Sequence, residues 1–342
     1  MRIFIYEFVT GGGWYDVDPE HPPSGSLLAE GRGMVEAVAR DFLAIKGMEV
    51  ATLHDARLSY RPPASKYCLH HVRSRCEGKT TFLEQAAVSD YTLIIAPEFN
   101  YHLDRRCKAA EPLGKRLLSP NADFIGVAQD KSCCWNELRD KAVPVPQTWL
   151  SGYFPPDSRY PLVIKPSIGC GSMGVQLAVS KEHAIDWSEY PDGEVICQEF
   201  CPGLSASVAL LCGPARNYPL PACRQNLSTD NRFRYLGGDC PLSTRLNLRA
   251  QRLARMAIEA LPPATGYVGV DLILGDAEDG SQDYVIEINP RLTTSYVGLR
   301  ALSNTNLAQA MLDVAQGREP QLNWKPGRVR WSADGVVEYV EP

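Results

Sequence analysis

No apolar run in this sequence approaches the ~18 residues that a membrane-crossing helix needs. The opening stretch, MRIFIYEFVTGGG, lacks the basic n-region, apolar core and small-residue cleavage site of a secretory signal, and reads as a first strand. A cytoplasmic chain with no membrane partner is therefore expected. An excess of positive charge is missing too, since 35 Lys and Arg face 40 Asp and Glu, a formal charge of −5. Such a balance argues against nucleic acid as a partner, while leaving room for a local basic pocket that holds one nucleotide. No disulfide framework is visible either. The 11 cysteines are odd in number and scattered, with one adjacent pair, Cys133 and Cys134, which fits reduced and mostly buried thiols. Cys68, His70, His71 and Cys76 gather potential zinc ligands, but neither a C-x-x-C nor an H-x-x-x-H spacing is there. Internal repeats and low-complexity tracts are absent.

What is present is an ordinary globular composition, 44% hydrophobic and 22% charged over 342 residues. At roughly 150 residues per domain this predicts two or three domains. The first third alternates short apolar runs with amphipathic stretches: a strand at Arg2–Phe8, a helix at Ser26–Lys46, a strand at Glu49–Leu53, a helix at Thr80–Val88 and a strand at Tyr91–Pro97. Asp104–Leu118 and Asp123–Val127 continue the alternation, which predicts an α/β domain built on an open, mostly parallel sheet. Gly11, Gly12 and Gly13 follow the first strand, but no G-x-G-x-x-G and no helix start accompany them. A flexible loop over a cleft is expected there. The segment KAVPVP, Lys141–Pro146, reads as a linker or a strand entrance. Beyond it strands dominate, at Leu162–Lys165, Gly174–Val179, Val195–Phe200 and Ser207–Cys212. A helix at Ser243–Leu261, a strand pair at Tyr267–Leu274 and Asp283–Ile288, and a last helix at Asn306–Gln316 complete the reading.

Three segments carry chemistry. In PLVIKPSIGCGSMGVQLAV an apolar strand delivers Lys165 to a loop holding Gly169, Gly171, Ser172 and Gly174. Glycines let a backbone approach a polyphosphate and turn its N–H groups inward, while the lysine reaches a phosphate oxygen. A Walker loop is ruled out because a strand follows, and alone the segment is equally an ordinary hairpin with a surface lysine. In GVDLIL, Asp271 interrupts an apolar strand, where an unpaired carboxylate is costly to bury. Sixteen residues later VIEINPR places Glu287 and Asn289 on one face by period 2. If the two strands pair, hard oxygen ligands converge as Mg²⁺ requires, and Arg291 follows to meet a phosphate or carboxylate; a solvated strand edge is the plainer alternative. In VICQEF, Gln198, Glu199 and Phe200 end an extended segment that offers backbone groups to an adenine edge, with Glu199 near a ribose hydroxyl; taken alone, the segment fits a buried strand ending in a solvated acid better.

In this order the segments resemble the ATP-grasp superfamily, from Gln129 to about Leu302. The order runs from Lys131 in QDKSCCWNEL through Lys165 in VIKPSIGCGSMG and the hinge Gln198–Phe200 to Asp271 and EINPR. The resemblance implies a Rossmann-like open sheet domain over 1–128, a small lobe over 129–200 and a C-terminal lobe over 201–342, the two lobes clamping ATP. It further implies that Lys131 and Lys165 contact ATP phosphates, the glycine loop closes over them and Glu199 holds the ribose. Asp271, Glu287 and Asn289 would bind Mg²⁺, with Mn²⁺ able to substitute, and Arg291 would steady the transferred phosphate. The implied chemistry is carboxylate activation to an acyl phosphate that an amine then opens, which asks positioning and charge neutralisation of the protein rather than a nucleophile. Cys133 and Cys134 have no basic partner nearby and read as buried thiols.

The opening YEFVTGGG, the segment PGLSASVALLCG and EINPRLTTSYVGLR look like the tyramine–glutamate ligase group of methanofuran-type cofactor assembly. That narrower resemblance implies an ADP-forming ligase that joins the γ-carboxylate of glutamate to tyramine or a related small amine. Arg224, Gln225 and Asn226 in PACRQNL would serve phosphate and an amino-acid head group, and Thr293, Thr294, Ser295 and Tyr296 would line the neighbouring wall. Two features depart from the superfamily pattern: only about fifty residues separate Pro144 from the hinge, and the stretch Ser65–Glu77 has no counterpart. Two other functions stand beside the ligase of small molecules. One is addition of an amino acid to a protein or carrier; the other is a silent nucleotide-binding regulator, against which the joint presence of Lys165, Asp271, Glu287 and Asn289 argues. A homodimer is the expected assembly, two-fold dimers being the commonest.

Overall fold

The computed structural model describes residues 1–59, 67–114, 116–150, 160–181, 185–190 and 194–341. Its first sheet is parallel throughout. Strands β1 (Arg2–Glu7), β2 (Glu49–Asp55), β3 (Tyr67–Val72), β4 (Tyr91–Ile95) and β5 (Arg116–Leu117) lie in the order β3-β2-β1-β4-β5. Helices α1 (Gly25–Leu43), α2 (Arg75–Val88) and α3 (His102–Ala110) make the crossovers. β1 is buried beyond its first residue because both faces of a parallel sheet are covered, and α1 buries Met34, Val35, Val38 and Phe42 at helical spacing. The strand order reverses between β1 and β4, and a crevice opens at the carboxyl ends of strands at such a point.

Helices α4 (Ala122–Ala128) and α5 (Lys131–Asp140) lead into a four-stranded antiparallel sheet. It holds β6 (Thr148–Leu150), β7 (Leu162–Pro166), β8 (Gln176–Ala178) and β9 (Val195–Glu199) in the order β6-β9-β7-β8. The rest of the chain builds a larger antiparallel sheet from β10 (Leu204–Cys212), β11 (Tyr218–Pro219), β12 (Cys223–Leu227), β13 (Tyr235–Cys240), β14 (Gly266–Leu274), β15 (Tyr284–Asn289), β16 (Arg328–Ser332) and β17 (Val337–Val340). Around it lie α6 (Thr244–Glu259), α7 (Ser295–Leu302) and α8 (Leu307–Ala315). One core runs from the first sheet to the last, joining Ile3, Val38 and Phe42 to Leu211, Tyr296, Met311 and Trp331. A second packs Phe124, Cys134 and Leu138 of α4 and α5 against Val208, Leu253 and Val270. Among the described residues the four-stranded sheet has a small core of its own, Ile164, Ala178, Val195 and Cys197.

Several expectations need correcting. Asp123–Val127 is helical, because Asn121 caps α4 by accepting the Phe124 N–H at 3.0 Å, and the strand of that unit is the two-residue β5. β3 occupies the stretch that had no family counterpart, of which residues 65–66 lie outside the described part. Its alternation sets Cys68 and His70 on one face, 3.2 Å apart, and turns His71 to the His54 ring on the other, so the suspected ligands do not converge. The glycine triplet is no flexible loop. All three residues are buried: a Cβ on Gly11 would sit 2.4 Å from the Glu7 carbonyl oxygen, and one on Gly13 2.3 Å from the Phe8 ring. Tyr296 belongs to the core rather than to a substrate wall, since α7 begins at Ser295 and the helical turn carries the next side chain inward.

The buried end of Tyr296 identifies a lock between α1 and α7. Its hydroxyl donates to Asp41 Oδ2 at 2.7 Å, and Arg300 donates to both oxygens of the same carboxylate at 2.6–3.0 Å. Asp41→Ala would strand a buried phenol and a half-buried guanidinium. It should cost about 3 kcal/mol, measured as a lower thermal unfolding midpoint, whereas Arg40→Ala on the exposed face should cost almost nothing.

Candidate active site

The two antiparallel sheets, with Glu30 of α1 and Lys131 of α5, enclose a cavity of about 570 Å³. Its floor comes from β14 and β15. They pair with Asp271 opposite Glu287 and Gly269 opposite Asn289, and the register slips just past Asp271, as ladders often do beside functional sites. Asn289 Nδ2 donates to Asp271 Oδ2 at 3.0 Å, and Gln225 Nε2 reaches across β10 to Asp271 Oδ1 at 2.9 Å. Burial, with Glu287 alongside, lifts the Asp271 carboxyl to about 7.

Lys131 enters from the first turn of α5, where Asp130 caps the helix by accepting from the Ser132 and Cys133 N–H groups and from the Ser167 hydroxyl. Its ammonium lies 3.1 Å from Glu287 Oε1 and donates to the Gly169 carbonyl at 2.9 Å. Burial works against that charge, but Glu287 more than offsets it and the pKa stands above the ordinary value. Lys165, on β7, is 4% exposed and donates to Gln198 Oε1 at 3.0 Å. Here burial wins, aided by Lys131, and the ammonium falls to about 8 despite Glu287.

The glycine loop roofs the cavity. Gly169, Gly171 and Ser172 line it, and Ser172 Oγ donates to the Phe233 carbonyl at 2.7 Å, latching the loop to the β12–β13 turn. Gly174 stands outside the lining and serves the loop's shape: its φ is +67°, and a Cβ there would press on Pro166 at 3.0 Å. Gln198, Glu199 and Phe200 close the hinge side, with the Phe200 ring stacked on Phe233 at 6.2 Å. The Glu199 and Phe200 N–H groups already donate to the Gln147 and Pro161 carbonyls, so they are not the free donors that the sequence suggested for an adenine edge.

Arg291 is turned in a direction the sequence did not reveal. Its guanidinium grips Glu98 in a bidentate pair, Nε to Oε1 at 2.9 Å and NH2 to Oε2 at 3.1 Å. Glu98 follows β4, is 2% exposed, and keeps the arginine charged against burial. One signal could have located it, its place at the carboxyl end of a strand beside the topological switch. Glu30 of α1 and Tyr235 of β13 also line the cavity unanticipated. Arg224, Gln225, Thr293, Thr294 and Ser295 border it, the last joined through its hydroxyl to Thr293 and Tyr267 at 2.8 and 3.0 Å. Asn226 does not border it. It is exposed, since period 2 on β12 faces it away from Gln225. Cys134 is buried and its thiol raised to about 12, whereas Cys133 is exposed rather than buried as expected; partial desolvation beside Asp130 still raises its thiol, so neither offers a nucleophile.

A parallel sheet domain, followed by two antiparallel sheets that close on a cavity lined by buried lysines and paired carboxylates, defines an ATP-dependent ligase that joins carbon to nitrogen. The chain belongs to the ATP-grasp family: it matches the ATP-grasp domain over residues 128–295 and the pre ATP-grasp 3 domain over residues 48–125. It is 28% identical to the tyramine–L-glutamate ligase of Methanocaldococcus jannaschii over 93% of this chain and 90% of that protein. The ligase of the same name from Methanocaldococcus fervens is also 28% identical, over 93% and 95%. A crystal structure from Archaeoglobus fulgidus assigned to the ATP-grasp superfamily superposes with a TM-score of 0.74 at 26% identity, covering 100% of this chain and 99% of the other. This is accordingly an ATP-grasp carboxylate–amine ligase close to the tyramine–L-glutamate ligases, and ATP is the nucleotide it uses.

The depressed Lys165 pKa makes stability depend on pH. Between about 8 and 10.5 the native lysine has shed its proton while the unfolded one still holds it, so stability rises with pH through that window and the burden is full below it. Lys165→Met should therefore stabilise the nucleotide-free protein at pH 7 by on the order of 2 kcal/mol. The gain should fade as pH approaches 10, as followed by thermal unfolding of both proteins across that range.

Proposed function

We propose that this enzyme couples the γ-carboxylate of glutamate to tyramine or a related small amine, hydrolysing ATP to ADP and phosphate, as a step of cofactor assembly. The observation that carries the reading is Glu287, which meets Lys131 at 3.1 Å on one side and pairs with Asp271 on the other, inside one cavity. In this reading Lys131 and Lys165 bind ATP phosphates beneath Gly169, Gly171 and Ser172. Gln198, Glu199 and Phe200 hold the nucleoside, with Glu199 on the ribose.

Asp271, Glu287 and Asn289 suit Mg²⁺, or Mn²⁺ in its place. The donors are hard oxygens, and the Asp271 carboxyl, lifted to about 7 beside a second carboxylate, is a site short of positive charge. Bound there, the cation supplies charge that neutralises phosphate oxygens. The chain's own groups do the rest. Arg291, held rigid by Glu98, orients the phosphate passing to the glutamate carboxylate, and Arg224 and Gln225 with Thr293, Thr294 and Ser295 seat the amino-acid head group. Positioning of this kind supplies most of the acceleration in phosphoryl transfer.

Glu287→Gln keeps size and removes the charge. It should leave the circular-dichroism spectrum intact and lower ADP release with glutamate and tyramine by about 10²–10³-fold or more. Unchanged ADP production by this variant would sink the assignment of Glu287.

A further inference from the structure

Glu30 has no task in binding or activating ATP, yet it stands on the cavity wall. It comes from the second turn of α1, so the N-terminal sheet domain supplies it to a cavity otherwise made largely by the two antiparallel sheets. Among the described residues it makes no hydrogen bond or ion pair. The cation that acts on it, Arg291, is already held by Glu98. A carboxylate withdrawn from water without a counter-charge is costly, and burial accordingly lifts Glu30 to about 7 in spite of Arg291. Tyr235 lines the same cavity; its phenol feels the Glu30 charge, and its hydroxyl accepts from Trp331 Nε1 at 2.8 Å. Leu27, one turn earlier on α1, lies within 3.6 Å of where a Gly171 Cβ would stand. A carboxylate without a hydrogen-bond partner, in a cavity that also presents Tyr235, is the complement of an alkylammonium attached to an apolar body.

We infer that Glu30 receives the ammonium group of the amine substrate and accepts its proton. The inference rests on the ligase reading above and deepens it. In the step it describes, one ammonium proton passes to the Glu30 carboxylate and frees the nitrogen lone pair. That pair forms the C–N bond to the acyl phosphate carbon while the acyl C–O bond breaks, its electrons leaving on phosphate. The second N–H proton departs onto the phosphate, and the amide is complete. Glu30 thereby acts only after ATP has been consumed.

A change of nucleophile separates this role from a structural one. Hydroxylamine is uncharged at neutral pH, so it needs neither an ammonium receptor nor a base, and it traps an acyl phosphate as a hydroxamate. Glu30→Gln should lose about 10²-fold or more in kcat/KM with tyramine, while glutamyl hydroxamate and ADP form from glutamate and hydroxylamine at close to the wild-type rate. Glu30→Asp should recover part of the tyramine rate. Full tyramine activity in Glu30→Gln overturns the inference alone. So does an equal loss with both nucleophiles, which would move Glu30 to the carboxylate or nucleotide side. A wild-type enzyme that releases no ADP with glutamate and either nucleophile overturns the substrate reading, and this inference with it.

Discussion

Glu287 is a half-buried carboxylate on the cavity wall, and much of the site is arranged around it. An ionised acid in a low-dielectric cavity needs a partner at hydrogen-bond distance, or it takes up a proton. Lys131 is that partner, and it can be one only because α5 begins at the cavity mouth with Asp130 pinning its first turn to the glycine loop. The opposite neighbour, Asp271, has no such relief. It is held by two amide donors instead, and its carboxyl rises. Burial, with Lys131 nearby, strips Lys165 of part of its affinity for a proton against the pull of Glu287 and Asp271. The cavity thus holds its charges in a poised state, in which an incoming polyphosphate and its counter-ion would satisfy what the protein alone leaves unbalanced.

The N-terminal sheet domain takes part in that site as well as flanking it. Glu98 fixes the guanidinium of Arg291 by two hydrogen bonds, so the residue after β15 cannot be placed without the residue after β4. Asp41 joins α1 to α7 by the same kind of bidentate contact, and the apolar core running beneath both pairs is continuous. Rigid attachment of the sheet domain to the large antiparallel sheet leaves the four-stranded sheet, with its small core, as the lightly anchored part. A ligase that must hold three reactants in line benefits from that division, since most of its geometry is set before any of them arrives.

Much of the cavity wall could be read directly. Asp271 stands out because a charge in the run GVDLIL has no local explanation, and Glu287 and Asn289 because strand alternation puts them together before any strand pairing is known. Lys165 and its glycines are legible for a similar reason. Glu30 and Glu98 were silent: a glutamate on an amphipathic helix looks like a solvated face, and one in a loop after a strand looks like turn chemistry. Tyr296 and Asn226 misled in the opposite sense. Both sit beside site residues in sequence, but a helix start rotates the one into the core and strand period turns the other outward.

Properties set by near neighbours along the chain were available from the residues alone: which runs are strands, which lysine ends a strand, that Glu287 and Asn289 share a strand face, and the order of motifs that marks an ATP-grasp ligase. These follow from backbone periodicity and from the cost of isolated charge, neither of which needs the fold to be known. Only the tertiary structure decided which charges meet. Lys131 finds Glu287 across 156 positions, Glu98 finds Arg291 across 193, and Asp41 finds Arg300 across 259. Pairing over such separations is selected by burial and shape, because a charged side chain carries no local signal of the partner it will be buried against.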